Sequence, residues 1–249
     1  MDGQTASRPD GLLRKLTMSA TVFLLAVGLS GRPAVGQVGH NPASSPYHDI
    51  LLRSGPSIFA GHLSGDRGSA DAGFSNGDAI GLRYELPAGK TLVVQFNGTY
   101  VKGDRFIINP AADSSSPQRK TGPYPAEIFI TDLMLQLRLT GAKSWHRIAP
   151  YAGAGIGLGF ETKAPPDTIK SGTYKFGTKF ILSGATGVRI YPLRRISLNG
   201  DARFALWKES YPTSFHQTAS DGSRVLPLLH DLSEWTFHPI LSVGVGWTF

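Results

Sequence analysis

The chain has 249 residues, enough for one large domain or two small ones, with 30 glycines, 17 prolines, 17% charged residues and no cysteine. Without cysteine, an exported chain needs no disulfide oxidation and must draw its stability from elsewhere. The net charge of +7 first suggests nucleic acid, but no Lys/Arg run exceeds two residues; scattered cations exclude a groove-binding stripe and fit a polyanionic surface better.

Residues 1–36 read as a secretory signal peptide. Arg8, Arg14 and Lys15 precede the apolar run LTMSATVFLLAVGL, and Ala34 and Gly36 are small residues at the −3 and −1 positions for cleavage before Gln37. The run is shorter than the ~20 residues a spanning helix needs. This segment holds four of the 25 Lys/Arg and two of the 18 Asp/Glu, which leaves 213 residues near +5. Residues 37–55 are polar and broken by proline, a periplasmic lead-in in which HDILLR has room for one helical turn.

From residue 56 to 249 alternation takes over, and a period of two belongs to strands. The first, SIFAGHLSG (57–65), is weak. In GDAIGLRYEL (77–86), Ile80, Leu82, Tyr84 and Leu86 oppose Ala79, Gly81, Arg83 and Glu85. In TLVVQFNGTYV (91–101), Leu92, Val94, Phe96 and Tyr100 oppose Gln95, Asn97 and Thr99; the NGT at 97–99 matches a glycosylation acceptor but carries no meaning inside a strand. Residues 126–140 set Phe129, Leu133, Leu135, Leu137 and Leu139 against Asp132, Gln136 and Arg138. In YAGAGIGLGF (151–160), Gly153, Gly155, Gly157 and Gly159 stand two apart. A dinucleotide loop needs G-x-G-x-x-G before a helix. Leu158 occupies the last glycine position and paired prolines follow, so this is a strand with one bare face. Residues 174–191 place Phe176, Phe180, Leu182, Val188 and Ile190 opposite Lys179, Ser183 and Arg189; residues 195–207 place Ile196, Leu198, Phe204 and Leu206 opposite Asn199, Asp201 and Arg203. In the last strand Trp235, Phe237, Pro239, Leu241, Val243, Val245, Trp247 and Phe249 hold strict register.

These are eight strands joined alternately by tight turns (PAGK, GAKSWH, PLR) and by longer connections at about 66–76, 102–125, 162–173 and 208–234. An even strand count with short turns at one end and long loops at the other predicts an all-β, antiparallel up-and-down barrel of eight strands that crosses a membrane, both termini on the short-turn side. In hydrocarbon every backbone group must be paired, which a sheet achieves only by closing. Eight strands leave an interior that side chains fill. The glycine strand then faces inward and makes room for Arg189, Arg138 and Tyr151, and Arg83, Glu85, Asp132, Arg138, Arg189, Asp201 and Arg203 form a lumenal ionic network, since a buried charge requires a partner. Trp207 and Trp235 near the loop end, with Tyr191, Trp247 and Phe249 near the turn end, compose two aromatic girdles.

The ending PILSVGVGWTF, with the strand PYAGAGIGLGF, resembles the small eight-stranded outer-membrane barrels of the OmpA/OmpX type over roughly residues 56–249. That resemblance implies a bacterial outer-membrane location with periplasmic termini and extracellular loops. It implies a barrel-assembly signal in Leu241, Val243, Val245, Trp247 and Phe249, read by the barrel-assembly machinery. Partners are then outer-membrane lipid and lipopolysaccharide, with no nucleic acid, and the barrel is a monomer. The chain stops at Phe249, so the peptidoglycan-binding domain of the larger relatives is not expected. The resulting function is structural, in envelope integrity, with binding at a surface of loops that carry Arg67, Arg105, Arg119, Lys120, Lys163 and Lys170. The alternatives are a lipid A deacylase and a small-solute pore. A deacylase would need His-x-Ser on one strand face and an acid to orient the histidine; His62 and Ser64 have that spacing, without an obvious acid beside them. No cofactor is implied, and His146, His216 and His230 lack metal-ligand spacing.

Overall fold

The computed structural model describes residues 45–166 and 173–248. The expected signal peptide, the front of the lead-in and Phe249 lie outside the described residues. The strands are β1 (Tyr47–Asp49), β2 (Gly55–Leu63), β3 (Gly77–Pro87), β4 (Leu92–Ile108), β5 (Lys120–Arg138), β6 (Lys143–Trp145), β7 (Ile148–Lys163), β8 (Thr178–Ile190), β9 (Ile196–Ser210) and β10 (Ser233–Trp247). Eight of them pair antiparallel in the order β2-β3-β4-β5-β7-β8-β9-β10, and β10 closes onto β2 from Ile240↔Leu63 to Gly246↔Ser57. The expected eight-stranded ring is present, and its closure leaves no strand edge to be satisfied by lipid.

The alternation resolves into an inverted distribution of polarity. Ile58, Leu82, Phe96, Leu135, Ile156, Phe180, Leu198 and Leu241 point out, while Gln95, Asn97, Asp132, Gln136, Arg138 and Arg189 are buried. Leu82, Leu241 and Val243 are 66%, 67% and 70% exposed, an apolar belt that only acyl chains can cover. The glycines of β7 face inward, but Arg189, Arg138 and Tyr151 are not what they make room for. A Cβ on Gly157 would stand 2.3 Å from the Thr131 carbonyl oxygen and 2.7 Å from Asp132 Cβ, and one on Gly153 would stand 3.1 Å from Met134 Sδ. The bare face lets β5 approach closely and lean its inward side chains over β7.

Four local expectations change. β4 and β5 run on as a hairpin to Ile108↔Lys120, through a bulge between Arg105 and Ile107, so much of the 102–125 loop is strand. At 17 and 19 residues they exceed the ~9–11 a membrane strand needs, so the hairpin projects beyond the belt. β8 starts at Thr178 because Gly177 adopts φ +65°, which breaks the extended run and turns Tyr174 and Phe176 into the interior. HDILLR contains no helical turn: Tyr47–Asp49 pairs with Lys143–Trp145, Tyr47 opposite Trp145. An isolated turn of helix fixes several dihedrals for one hydrogen bond, whereas the β6 edge offers a ready ladder. Lastly, Trp207 is not a girdle residue: Phe204 and Leu206 face outward, so parity sends Trp207 inside, where it is fully buried.

Above the belt, Phe74, Tyr174, Phe176, Phe215 and Leu226 pack over Trp207. The 3-10 turn Thr213–His216 delivers Phe215 to this cap. The loops are tied together: the Ser114 amide donates to Asp221 at 2.8 Å, the Ser220 hydroxyl bonds Asp113, and Lys120 bonds Asp71. Hydrogen bonds from the Ser223 hydroxyl, then from Ser114, hold the Asp221 carboxyl well below the usual carboxylate range.

Candidate functional site

The interior polar groups fall into three tiers. In the middle tier, Arg83 Nη2 lies 3.0 Å from Asp201 Oδ2, and Arg83 Nε donates to Asn97 Oδ1 at 3.1 Å. Asn97 Nδ2 donates to Asp132 Oδ1 at 2.7 Å, and Arg203 Nη2 to Asp132 Oδ2 at 2.7 Å. The Phe59 ring lies against both guanidinium groups, at 5.1 Å from Arg83 and 5.6 Å from Arg203. In the tier toward the short turns, Arg189 pairs with Glu85 and donates through Nε to Asn199 Oδ1 at 3.0 Å, while Gln95 donates to Glu85 at 3.1 Å. In the tier toward the long loops, Arg105 pairs with Glu161 at 2.9 Å and Lys179 with Glu209 at 3.1 Å. Trp207 Nε1 and the Tyr174 hydroxyl also donate to Glu209. Trp207 stacks on His238 with ring centroids 3.5 Å apart. The Asp66 amide donates to His238 Nδ1, so Nε2 carries the ring proton and donates to Thr236 Oγ1 at 2.8 Å.

The structure thus joins six of the seven residues expected in the network. The seventh, Arg138, is buried with Nε and Nη1 unbonded and forms no ion pair among the described residues. Sequence reasoning missed Glu161, Glu209, Arg105 and Asn97. Period two carries Gly159 to Glu161, the last residue of its expected strand, and carries Arg203 to Glu209, two residues past the expected end at 207, so both acids continue the inner face. Asn97 was set aside with its glycosylation triplet.

The loop cations are engaged within the protein. Arg67 binds Ser75 at 2.7 Å and lies 3.6 Å from Asp71, and Lys163 lies 3.6 Å from Glu127. Arg119 donates to the carbonyl oxygens of Asn109, Pro110 and Ala112. Arg105 is interior, and Lys170 lies outside the described residues. His62 and Ser64 face outward at the loop end of β2. Contrary to expectation an acid does stand beside His62: its Nδ1 is 3.1 Å from Asp78 Oδ1, in an exposed pair. Among the described residues no hydrogen bond links the Ser64 hydroxyl to His62. Leu241, Val243, Val245 and Trp247 all point outward from β10. Among the described residues no group of three or more His, Asp or Glu side chains is placed to hold a metal ion.

A closed eight-stranded ring, greasy outside and ionic inside, is the architecture of a small outer-membrane β-barrel. In keeping with this, the structure is similar to outer membrane protein OprG from Pseudomonas aeruginosa, with a TM-score of 0.50 and 11% identity over 82% of this chain and 100% of that one. It is also similar to Neisserial surface protein A (TM-score 0.45, 13% identity, 82% and 98% covered) and to Ail of Yersinia pestis (TM-score 0.40, 12% identity, 80% and 100% covered). No family model matches the sequence, and no curated protein matches it significantly.

Proposed function

We propose that this protein is an integral, non-enzymatic barrel of the bacterial outer membrane that contributes to envelope integrity. The observation that carries the reading is the closed ring whose exposed face is apolar and whose interior is occupied at three depths by paired ions under an aromatic cap. Such an interior supports a plug-like wall element over a small-solute pore. Residues 1–36 serve as the cleaved export signal. The short-turn end and both termini face the periplasm, and the outward row of β10 together with the Phe249 that follows it in sequence serves as the signal for the barrel-assembly machinery. The barrel acts as a monomer in contact with outer-membrane lipid and lipopolysaccharide. Outer-membrane fractions run on a gel before and after boiling test this directly: the unboiled protein migrates as a compact band that shifts on heating. A band unchanged by heating, with the protein recovered in an osmotic-shock extract, refutes it.

One observation favours a second reading, a lipid acyl-ester hydrolase. Asp78 supplies the acid beside His62 on the lipid-facing side. Ser64 shares that face without engaging the imidazole, so the nucleophile is not activated in this arrangement. Fatty acid released from lipid A by the purified protein, and lost in Ser64→Ala, would establish this reading; no release leaves the structural one standing.

A further inference from the structure

The expected lipopolysaccharide contacts were loop cations, and the described ones are consumed by intramolecular partners. Another pair of cations is not. Lys175 and Lys208 are exposed and form no ion pair among the described residues. They line one open groove of about 470 Å³ with Thr178, Ser210, Phe180 and Trp235, its floor formed by the buried Phe176 and by Lys179, whose charge is paired with Glu209.

The groove's height on the barrel follows from the strands. Lys208 sits beside Trp235 in the β9–β10 ladder, and Trp247 ends the outward row of β10 at the other rim. Twelve residues at about 3.3 Å each, tilted ~40°, place the two tryptophans roughly 30 Å apart along the barrel axis. That separation matches an apolar band of ~25 Å flanked by aromatic girdles. Below Lys208, the outward positions of β9 are Leu206, Phe204, Ala202 and Leu198, apart from Gly200. Lys208 therefore stands at the level where acyl chains give way to headgroups. The two serine/threonine hydroxyls add donors at that level, and Phe180 and Trp235 offer flat apolar surface for the upper carbons of a chain. The opposite flank differs: there Lys102 and Lys163 also face outward, but Glu127 lies beside Lys163 and bonds the Tyr100 hydroxyl, offsetting the charge.

We propose that Lys175 and Lys208 clamp a phosphate of lipid A at the outer-leaflet interface, its glucosamine and first chain carbons resting on Trp235 and Phe180. This rests on the outer-membrane reading, with the long loops outside. The full chain, refolded in neutral detergent, is titrated with bisphosphorylated lipid A and followed by native mass spectrometry. Binding weakens about tenfold or more in Lys175→Gln/Lys208→Gln, from two interfacial cations lost. Enzymatic dephosphorylation of the lipid weakens wild-type binding to the same level, and Lys102→Gln/Lys163→Gln leaves it intact. Equal binding by the Lys175→Gln/Lys208→Gln variant, equal binding of dephosphorylated lipid, equal loss in the control variant, or displacement by millimolar inorganic phosphate would each overturn the clamp. Every variant is first checked for heat-shifted migration; its absence in the wild type would sink the barrel reading instead of the clamp.

Discussion

Deleting one partner of the middle ionic tier should unfold the barrel more readily than deleting both. The Arg83 and Asp201 side chains are 1% and 0% exposed, and with Asp201 gone Arg83 keeps the neutral Asn97 amide and the Phe59 ring but no acid within ion-pair distance among the described residues. Asp132, paired with Arg203 beside the same Phe59 ring, is then the acid left in this tier against two guanidinium charges. A buried charge stripped of its partner costs about 3–5 kcal/mol, whereas replacing the pair by apolar groups of similar volume is near neutral. With a urea dependence of about 2 kcal/mol per molar, Asp201→Leu should lower the unfolding midpoint by about 2 M, and Arg83→Met/Asp201→Leu should recover most of that loss. The assay is urea unfolding of the protein in phospholipid vesicles, scored by the fraction of heat-shiftable band, taken through the full double-mutant cycle. A single variant within ~0.3 M of wild type, or a double variant as unstable as the sum of the singles, would refute the reasoning.

Arg138 has no ion pair among the described residues, so Arg138→Met should leave the same midpoint unchanged or raised, the reverse of Asp201→Leu. Gly157→Ala drives a Cβ to 2.3 Å from the Thr131 carbonyl and should cost about 1–3 kcal/mol, while Gly200→Ala, with nothing within 4 Å, should be tolerated in the same titration. In a Trp145→Phe background, which removes the exposed tryptophan of β6, lipids brominated in the acyl chain should quench Trp235 and Trp247 but not the interior Trp207; adding Trp207→Phe should then abolish the unquenched emission, and persistence of that emission would contradict the inward assignment. Planar bilayers holding the wild-type protein should show no steady open conductance, because the ionic tiers fill the lumen at three depths.

Much of this architecture was written in the periodicity. Strict alternation in β3, β5, β9 and β10 set the face of each side chain, since a strand offers only two. The inward or outward sense followed from which face was greasy, because eight apolar positions in one register have no soluble core to enter. The same rule misplaced Trp207 only where alternation was not carried through, and it placed Phe176 on the lipid side because nothing local announced the turn at Gly177.

Partner choice was another matter. Alternation puts Arg83, Asp132, Asp201 and Arg203 inside, but which acid meets which base depends on stagger between strands far apart in the chain. Arg83 and Asp201 are 118 residues apart, and Arg203 and Asp132 are 71 apart. Ring closure alone brings them within hydrogen-bonding reach, and among the described residues it gives Arg138 no ion pair, although its strand pattern put it in the network. The engagement of the loop cations was likewise a tertiary outcome, fixed by the hairpin extension of β4 and β5 and by the clasp between loops. By itself, then, the sequence determined strand number, facing and the oily exterior, all properties of a two-residue repeat. Only the folded cylinder decided which charges neutralise one another and which remain free at the rim, because Coulomb pairing depends on distances across the lumen that no local pattern encodes.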